Sequence, residues 1–156
     1  MQSQHVINLH PDAKGQDLDV VIACIDECMA CAQACAQACT SCADACLSEP
    51  AVAHLRQCIR LDLDCADVCR MTADLASRRT GSNDDVFRAA LELCAAACEV
   101  CLEECKRHGE RHEHCRVCAQ SCRTCADACR DAMDSIGGDG ISGTGAQTAF
   151  PWIRHH

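Results

Sequence analysis

The sequence has no tyrosine, one tryptophan and two phenylalanines. Aromatic side chains normally supply the largest buried areas in a core, so something else must fill this one. A basic excess is also missing. Lysine and arginine number 14 against 23 aspartates and glutamates, giving a formal charge of -9 with the acids spread along the chain. That balance argues against nucleic acid or an anionic membrane as partner and mainly keeps the chain soluble. Long apolar runs are absent too. The opening segment "MQSQHVINLHPDAKGQDLDVVIAC" has no basic n-region, and its longest apolar stretch, Val20 to Cys24, falls short of the roughly 7 to 15 residues of a secretory h-region. No stretch is expected to approach a membrane span. The expectation is a cytosolic chain, where thiols stay reduced and dense cysteine signals metal more often than disulfide.

What the sequence does have is cysteine, 19 of them in 156 residues, an odd number that cannot pair off fully within one chain. The length suits one compact domain and is short for two. With aromatics scarce, thiols must be core material.

Helical periodicity marks four segments. The first runs from about Asp17 to Leu47 and stops at "SEP", where Ser48 is read as a cap for the next helix and Pro50 as part of its first turn. The second covers roughly Ala51 to Ser77 and ends before Gly81. "SNDD" at 82–85 offers a cap and first-turn acids for a third helix lasting to about His108, and Gly109 ends it. A fourth runs from about Arg111 to Ser135 and finishes at Gly137 and Gly138. Short connections force successive helices antiparallel, so the fold class is all-α, an up-down-up-down four-helix bundle with a cysteine-lined core. Residues 1–136 form this domain. Residues 137–156, "GGDGISGTGAQTAFPWIRHH", read as a flexible tail, and no function is assigned to its His155 and His156.

Placing residues at 100° steps puts Cys24, Cys28, Cys31, Cys35, Cys39, Cys42 and Cys46 within an arc of about 80°, with Asp26, Gln33, Gln37 and Asp44 opposite. Helix three repeats the stripe with Cys94, Cys98, Cys101 and Cys105, and helix four with Cys115, Cys118, Cys122, Cys125 and Cys129. Helix two is sparser, carrying Cys58, Cys65 and Cys69 with Leu61 and Asp62 where another cysteine would fit. A bundle buries one face per helix, so all 19 sulfurs should converge on one axial tube. One or two such cysteines would be ordinary small hydrophobes. Stripes on all four inner faces are not.

Charge chooses the metal. The five CxxC pairs lie inside continuous stripes rather than on loops beside strands, which removes the thioredoxin context. Structural zinc needs four thiolates per dication and would leave uncompensated negative charge stacked along a low-dielectric core. A ferritin-like di-iron centre needs inward Glu-x-x-His pairs, and no Glu here has His three residues later. Cu(I) is soft and monovalent, so one ion per thiolate is neutral, and bridging sulfurs can hold a chain of ions. Neighbours at i,i+3 and i,i+4 are close enough to share one. Buried thiols have raised pKa values, so the empty tube should be neutral and fold without metal. Two alternatives stand beside this reading: a thiol-rich buffer for zinc or another thiophilic metal, and a thiol oxidoreductase using one exposed CxxC pair.

The two ends of such a bundle differ. One gathers Val20, Val21, Ala76, Phe87, Leu91 and Met133 as an apolar plug, with core packing the expected role of Met133 and ligation the alternative. At the other meet His54, His108, His112 and His114, four of the eight histidines, whose imidazoles can accept Cu(I) and pass it inward. Asp62, inside the second stripe, is a candidate auxiliary ligand.

The CxxC and CxxxC spacings on four helices, the cysteine-poor second helix and the histidines of "HGERHEHC" resemble those of the bacterial four-helix-bundle copper storage proteins, over about residues 5–136. Without an export signal the chain looks like the cytosolic branch. The resemblance implies a homotetramer of bundles with Cu(I) bound inside each one and no catalytic turnover. Separately, a copper chaperone or chelator is a candidate donor and acceptor.

Overall fold

The computed structural model describes residues 16–78 and 83–137. Helix α1 spans Gln16–Ser48, and a short 3-10 turn, Val52–Leu55, leads into α2, Arg56–Ala76. Helices α3, Asp84–His108, and α4, Glu113–Gly137, complete the chain order, with no strand among the described residues. Packing joins α1 to α2 and α4, and α3 to α2 and α4, which closes a ring of four. Consecutive helices run antiparallel. Cys28 near the start of α1 lies 3.6 Å from Cys129 near the end of α4, and Cys69 late in α2 lies 3.7 Å from Cys94 early in α3.

The helices pack closely because the residues between the sulfurs are small. Ala32, Ala66 and Ala132 are fully buried, and Ala126 and Ala36 nearly so. Among the described residues only Leu55 and Leu91 contribute large apolar side chains that are fully enclosed, and they stand at opposite ends of the tube. At the Leu91 end, Phe87, Ala76 and Leu91 are buried while Val21 and Met133 pack on them partly covered, so the expected apolar plug is present. Val20 belongs to the same expectation but its side chain lies outside the described residues. Thr72, also fully buried, donates its hydroxyl to the carbonyls of Val68 and Ala90, tying α2 to α3.

The turns depart from the sequence expectations in physically informative ways. Ser48 does not cap a new helix, because α1 continues through it. The 3-10 turn that follows starts at Ala51 with no side-chain cap, and Pro50 lies in the preceding turn rather than in a first helical turn. Asn83 likewise makes no capping bond through its side chain, although its carbonyl accepts from Phe87 at 2.8 Å and Asp84 and Asp85 occupy the first turn. Helix four begins at Glu113, since Arg111 and His112 remain in the connection, and it includes Gly137. The remainder of the expected tail, 138–156, lies outside the described residues.

One expectation needs correcting. Val21–Ser48 is by length and composition apolar enough to cross a membrane. Cysteine and alanine score as apolar, and α1 is built from them. Its cysteine stripe is packed against neighbouring helices, while Gln33, Gln37 and Asp44 on the other face are exposed, which is the pattern of an amphipathic bundle helix.

Candidate metal site

All 19 cysteines are free thiols, and all but Cys24 and Cys31 are buried. The buried sulfurs form one continuous column, because each helix turns its stripe to the bundle axis. Cys35 of α1 lies 3.7 Å from Cys122 of α4 and 3.9 Å from Cys98 of α3, and Cys65 of α2 lies 3.7 Å from Cys98. Further along, Cys39 is 3.6 Å from both Cys118 and Cys122, and Cys58 is 3.6 Å from Cys105. The column extends through Cys125, which is 3.9 Å from both Cys69 and Cys94.

These sulfurs group into quartets whose ligand atoms all lie within 4.8 Å of one another. Two metal–thiolate bonds of about 2.3 Å, laid end to end, reach roughly 4.6 Å, so one ion fits between members of a quartet. The quartets overlap. Cys35 belongs to the sets Cys35/Cys65/Cys69/Cys98 and Cys35/Cys39/Cys65/Cys122, and Cys39 and Cys122 recur with Cys101 and Cys118. A sulfur shared by two sets must bridge if both are filled, so the column is suited to linked clusters of low-coordinate ions rather than to isolated tetrahedral sites.

Electrostatics favour a neutral empty column. Burial pushes the Cys46 thiol up to about 12 and the partly covered Cys31 up to about 11, and it raises Cys115 as well. These three thiols are therefore protonated at neutral pH and pack as small apolar groups. Circular dichroism of the reduced, metal-free protein is expected to show a helical spectrum already, and a coil spectrum that turns helical only on loading would contradict this.

Asp62 occupies the gap in the α2 stripe and is completely buried. Its Oδ1 accepts from the thiols of Cys101, Cys118 and Cys105 at 3.1, 3.3 and 3.4 Å, and Cys58 donates to Oδ2 at 3.8 Å. Burial, reinforced by the surrounding sulfurs, pushes its carboxyl up to about 11. The group is thus a neutral acid within reach of four sulfurs, where an auxiliary ligand is expected.

The histidines divide into two kinds. His114 points inward: its Nδ1 lies 3.5 Å from the sulfurs of Cys42 and Cys115 and 4.0 Å from Cys46, and the four form a quartet. His54, His108 and His112 line a cleft of about 410 Å³ at the same end, with Leu55 and Arg111. None of these three is placed against a sulfur in the contacts described. His54 precedes Cys58 by about one helical turn in the sequence, yet it is exposed. The reason is local. The tighter 3-10 turn over Val52–Leu55 shifts the inward direction by one residue, so Leu55, buried to 1% exposure, faces the core in its place.

Two carboxylates that the spacing did not single out hold the imidazoles. Glu104, buried, accepts from His108 Nε2 at 3.1 Å and from Arg107 at 2.9 Å. Their i,i+4 and i,i+3 separations on α3 are a signal that could have found it. Glu49, in the α1 to α2 connection, contacts His112 of the α3 to α4 connection and His114 in the first turn of α4 at 3.0 and 3.1 Å. Only the tertiary fold brings that pair of turns together. A second, lateral opening exists as well, a groove of about 270 Å³ between α1 and α4 lined by Cys31, Cys35, Val117 and Ser121.

A family model for copper storage proteins matches residues 14–134. The chain belongs to the copper storage protein family. Among solved structures, the copper storage protein Ccsp from Streptomyces lividans, loaded with 10 copper equivalents, is 50% identical with a TM-score of 0.75, covering 85% of this chain and 98% of that one. Cu(I)-bound copper storage protein BsCsp3 is 36% identical at a TM-score of 0.57, covering 76% and 99%. An uncharacterized cysteine-rich protein, YhjQ, of Bacillus subtilis is 41% identical over 98 residues, 63% of this chain and 82% of the relative. Family membership accounts for the gross plan, and the overlapping quartets explain how a member of the family can hold metal without a dedicated pocket for each ion.

Proposed function

We propose that the protein is a high-capacity cytosolic store for Cu(I), binding many cuprous ions through the cysteine column and releasing them intact, with no catalytic turnover. The observation that carries this reading is the overlap of the sulfur quartets in a neutral, preassembled tube. A monovalent soft cation replaces the proton of each thiol it meets, so filling leaves the interior uncharged, whereas dications at four thiolates each would accumulate negative charge. All 19 cysteines serve as ligands in this reading, Asp62 as an auxiliary ligand, His114 as the innermost imidazole of the mouth, and His54, His108 and His112 as its outer lining. Members of the family include a protein described as a cytosolic store, which supports the same compartment here. We further infer a homotetramer of bundles, and a copper chaperone or small chelator as donor and acceptor.

Anaerobic titration of the reduced apo-protein with Cu(I), against a competing cuprous chelator, tests the proposal. Uptake on the order of one ion per cysteine is expected. Saturation at four or five ions per chain would leave most of the column unused and overturn it. The thiol-rich zinc buffer predicts a different result on the same sample, namely stoichiometric zinc that Cu(I) fails to displace.

A further inference from the structure

Glu49 lies in the turn that sequence reading treated as helix punctuation, between Ser48 and Pro50. Its backbone is fixed on both sides: its N–H donates to the Cys46 carbonyl at 3.3 Å and its carbonyl accepts from Val52 at 3.1 Å. One oxygen of its side chain, Oε1, meets both His112 Nδ1 and His114 Nε2. A carboxylate only accepts, so each imidazole meets Oε1 with a ring N–H. The consequence differs for the two rings. A neutral His114 donating from Nε2 turns its Nδ1 lone pair to Cys42 and Cys115 at 3.5 Å. A neutral His112 donating from Nδ1 keeps Nε2 as its ligand atom on a ring that lines the outer cleft. The two ring centroids are 5.4 Å apart.

We propose that Glu49 is a positioning residue that sets opposite tautomers on His112 and His114, so that one imidazole presents its lone pair to the outer cleft and the other to the first sulfur quartet. This rests on the storage reading above. Outer-sphere carboxylates that orient a ligating imidazole commonly govern metal affinity without touching the ion. Here a single carboxylate from one interhelical turn orients one imidazole of another turn, His112, and one in the first turn of α4, His114, so the relay exists only when both sides of the mouth are in place.

The test compares Glu49→Ala and Glu49→Gln with the parent protein. Nitrogen-15 correlation spectra of the metal-free protein read the histidine tautomers directly. The parent is expected to show protonated Nε2 and bare Nδ1 for His114, with the reverse for His112. Glu49→Ala is expected to lose both preferences, and Glu49→Gln, whose amide oxygen still accepts, to retain them. In competition with a cuprous chelator, the first Cu(I) equivalent is expected to bind roughly 10- to 100-fold more weakly to Glu49→Ala, with Glu49→Gln nearer the parent. Total Cu(I) capacity on the same samples reads the storage function separately and should not change. Unaltered tautomers in Glu49→Ala, or weakened first-ion binding in which Glu49→Gln is as impaired as Glu49→Ala, would overturn the positioning role.

Discussion

Asp62→Asn is expected to stabilise the metal-free protein by roughly 4 kcal/mol at pH 7 and to change it little near pH 4. The folded carboxyl is pushed from an ordinary 3.8 up to about 11. Between those values the folded chain keeps a proton that the unfolded chain has lost, so ν_U − ν_N is negative and stability falls as pH rises. The favourable contribution is complete below about pH 4 and drains away through the neutral range at about 1.4 kcal/mol per pH unit. Asparagine imitates the protonated acid without titrating. Its carbonyl keeps the acceptor that Cys101, Cys105 and Cys118 share, and its amide faces Cys58 as the acid's second oxygen does. Urea denaturation of the reduced, chelator-treated proteins at pH 4.5 and pH 7 measures the difference. Parallel pH dependences in the two proteins would mean that Asp62 is ionised in the folded state. The stability the parent gives up at neutral pH is the cost of keeping an oxygen donor among sulfurs.

The parts of this architecture that were legible in the sequence are those that depend on period alone. Cys35, Cys39, Cys98 and Cys122 recur at three and four residues, and any helix carrying them must present one thiol face. Antiparallel packing then brings those faces together without further instruction. Exposure along the stripe was less legible. Cys31 occupies the same angular range as Cys35 yet is partly exposed beside the α1–α4 groove, because the flanking positions Ala34, Gln120 and Thr124 do not cover it. Turn geometry was least legible. A change from 3.6 to about 3 residues per turn over Val52–Leu55 exchanges the inward roles of His54 and Leu55, and no pattern of apolar positions announces that change. The partnership of Glu49 with His114 joins segments distant in the chain, so it became visible only when the bundle closed.

Replacing His54, His108, His112 and His114 together by alanine is expected to slow both Cu(I) uptake and Cu(I) removal by on the order of tenfold or more, while capacity stays nearly constant. Rates and capacity separate because the column retains every sulfur. Only the quartet of Cys42, Cys46 and Cys115 loses a ligand, and it keeps three thiols. Stopped-flow mixing with a cuprous chelator, first as donor and then as acceptor, gives the two rates. The geometry also ranks the single variants. His114→Ala should carry the largest share, since its Nδ1 lies within 4.0 Å of Cys42, Cys46 and Cys115 and joins them in a quartet. His108→Ala and His112→Ala should each have a smaller effect from the cleft wall, and His54→Ala the smallest, because Leu55 faces the core while His54 is exposed. Rates that remain unchanged in both directions would move the entrance away from this end. The apolar plug of Phe87 and Leu91 closes the opposite end, so ions would then have to pass through the lateral groove where Cys31 lies beside Cys35. In that case Cys31→Ser, and not the histidine variants, would set the loading rate.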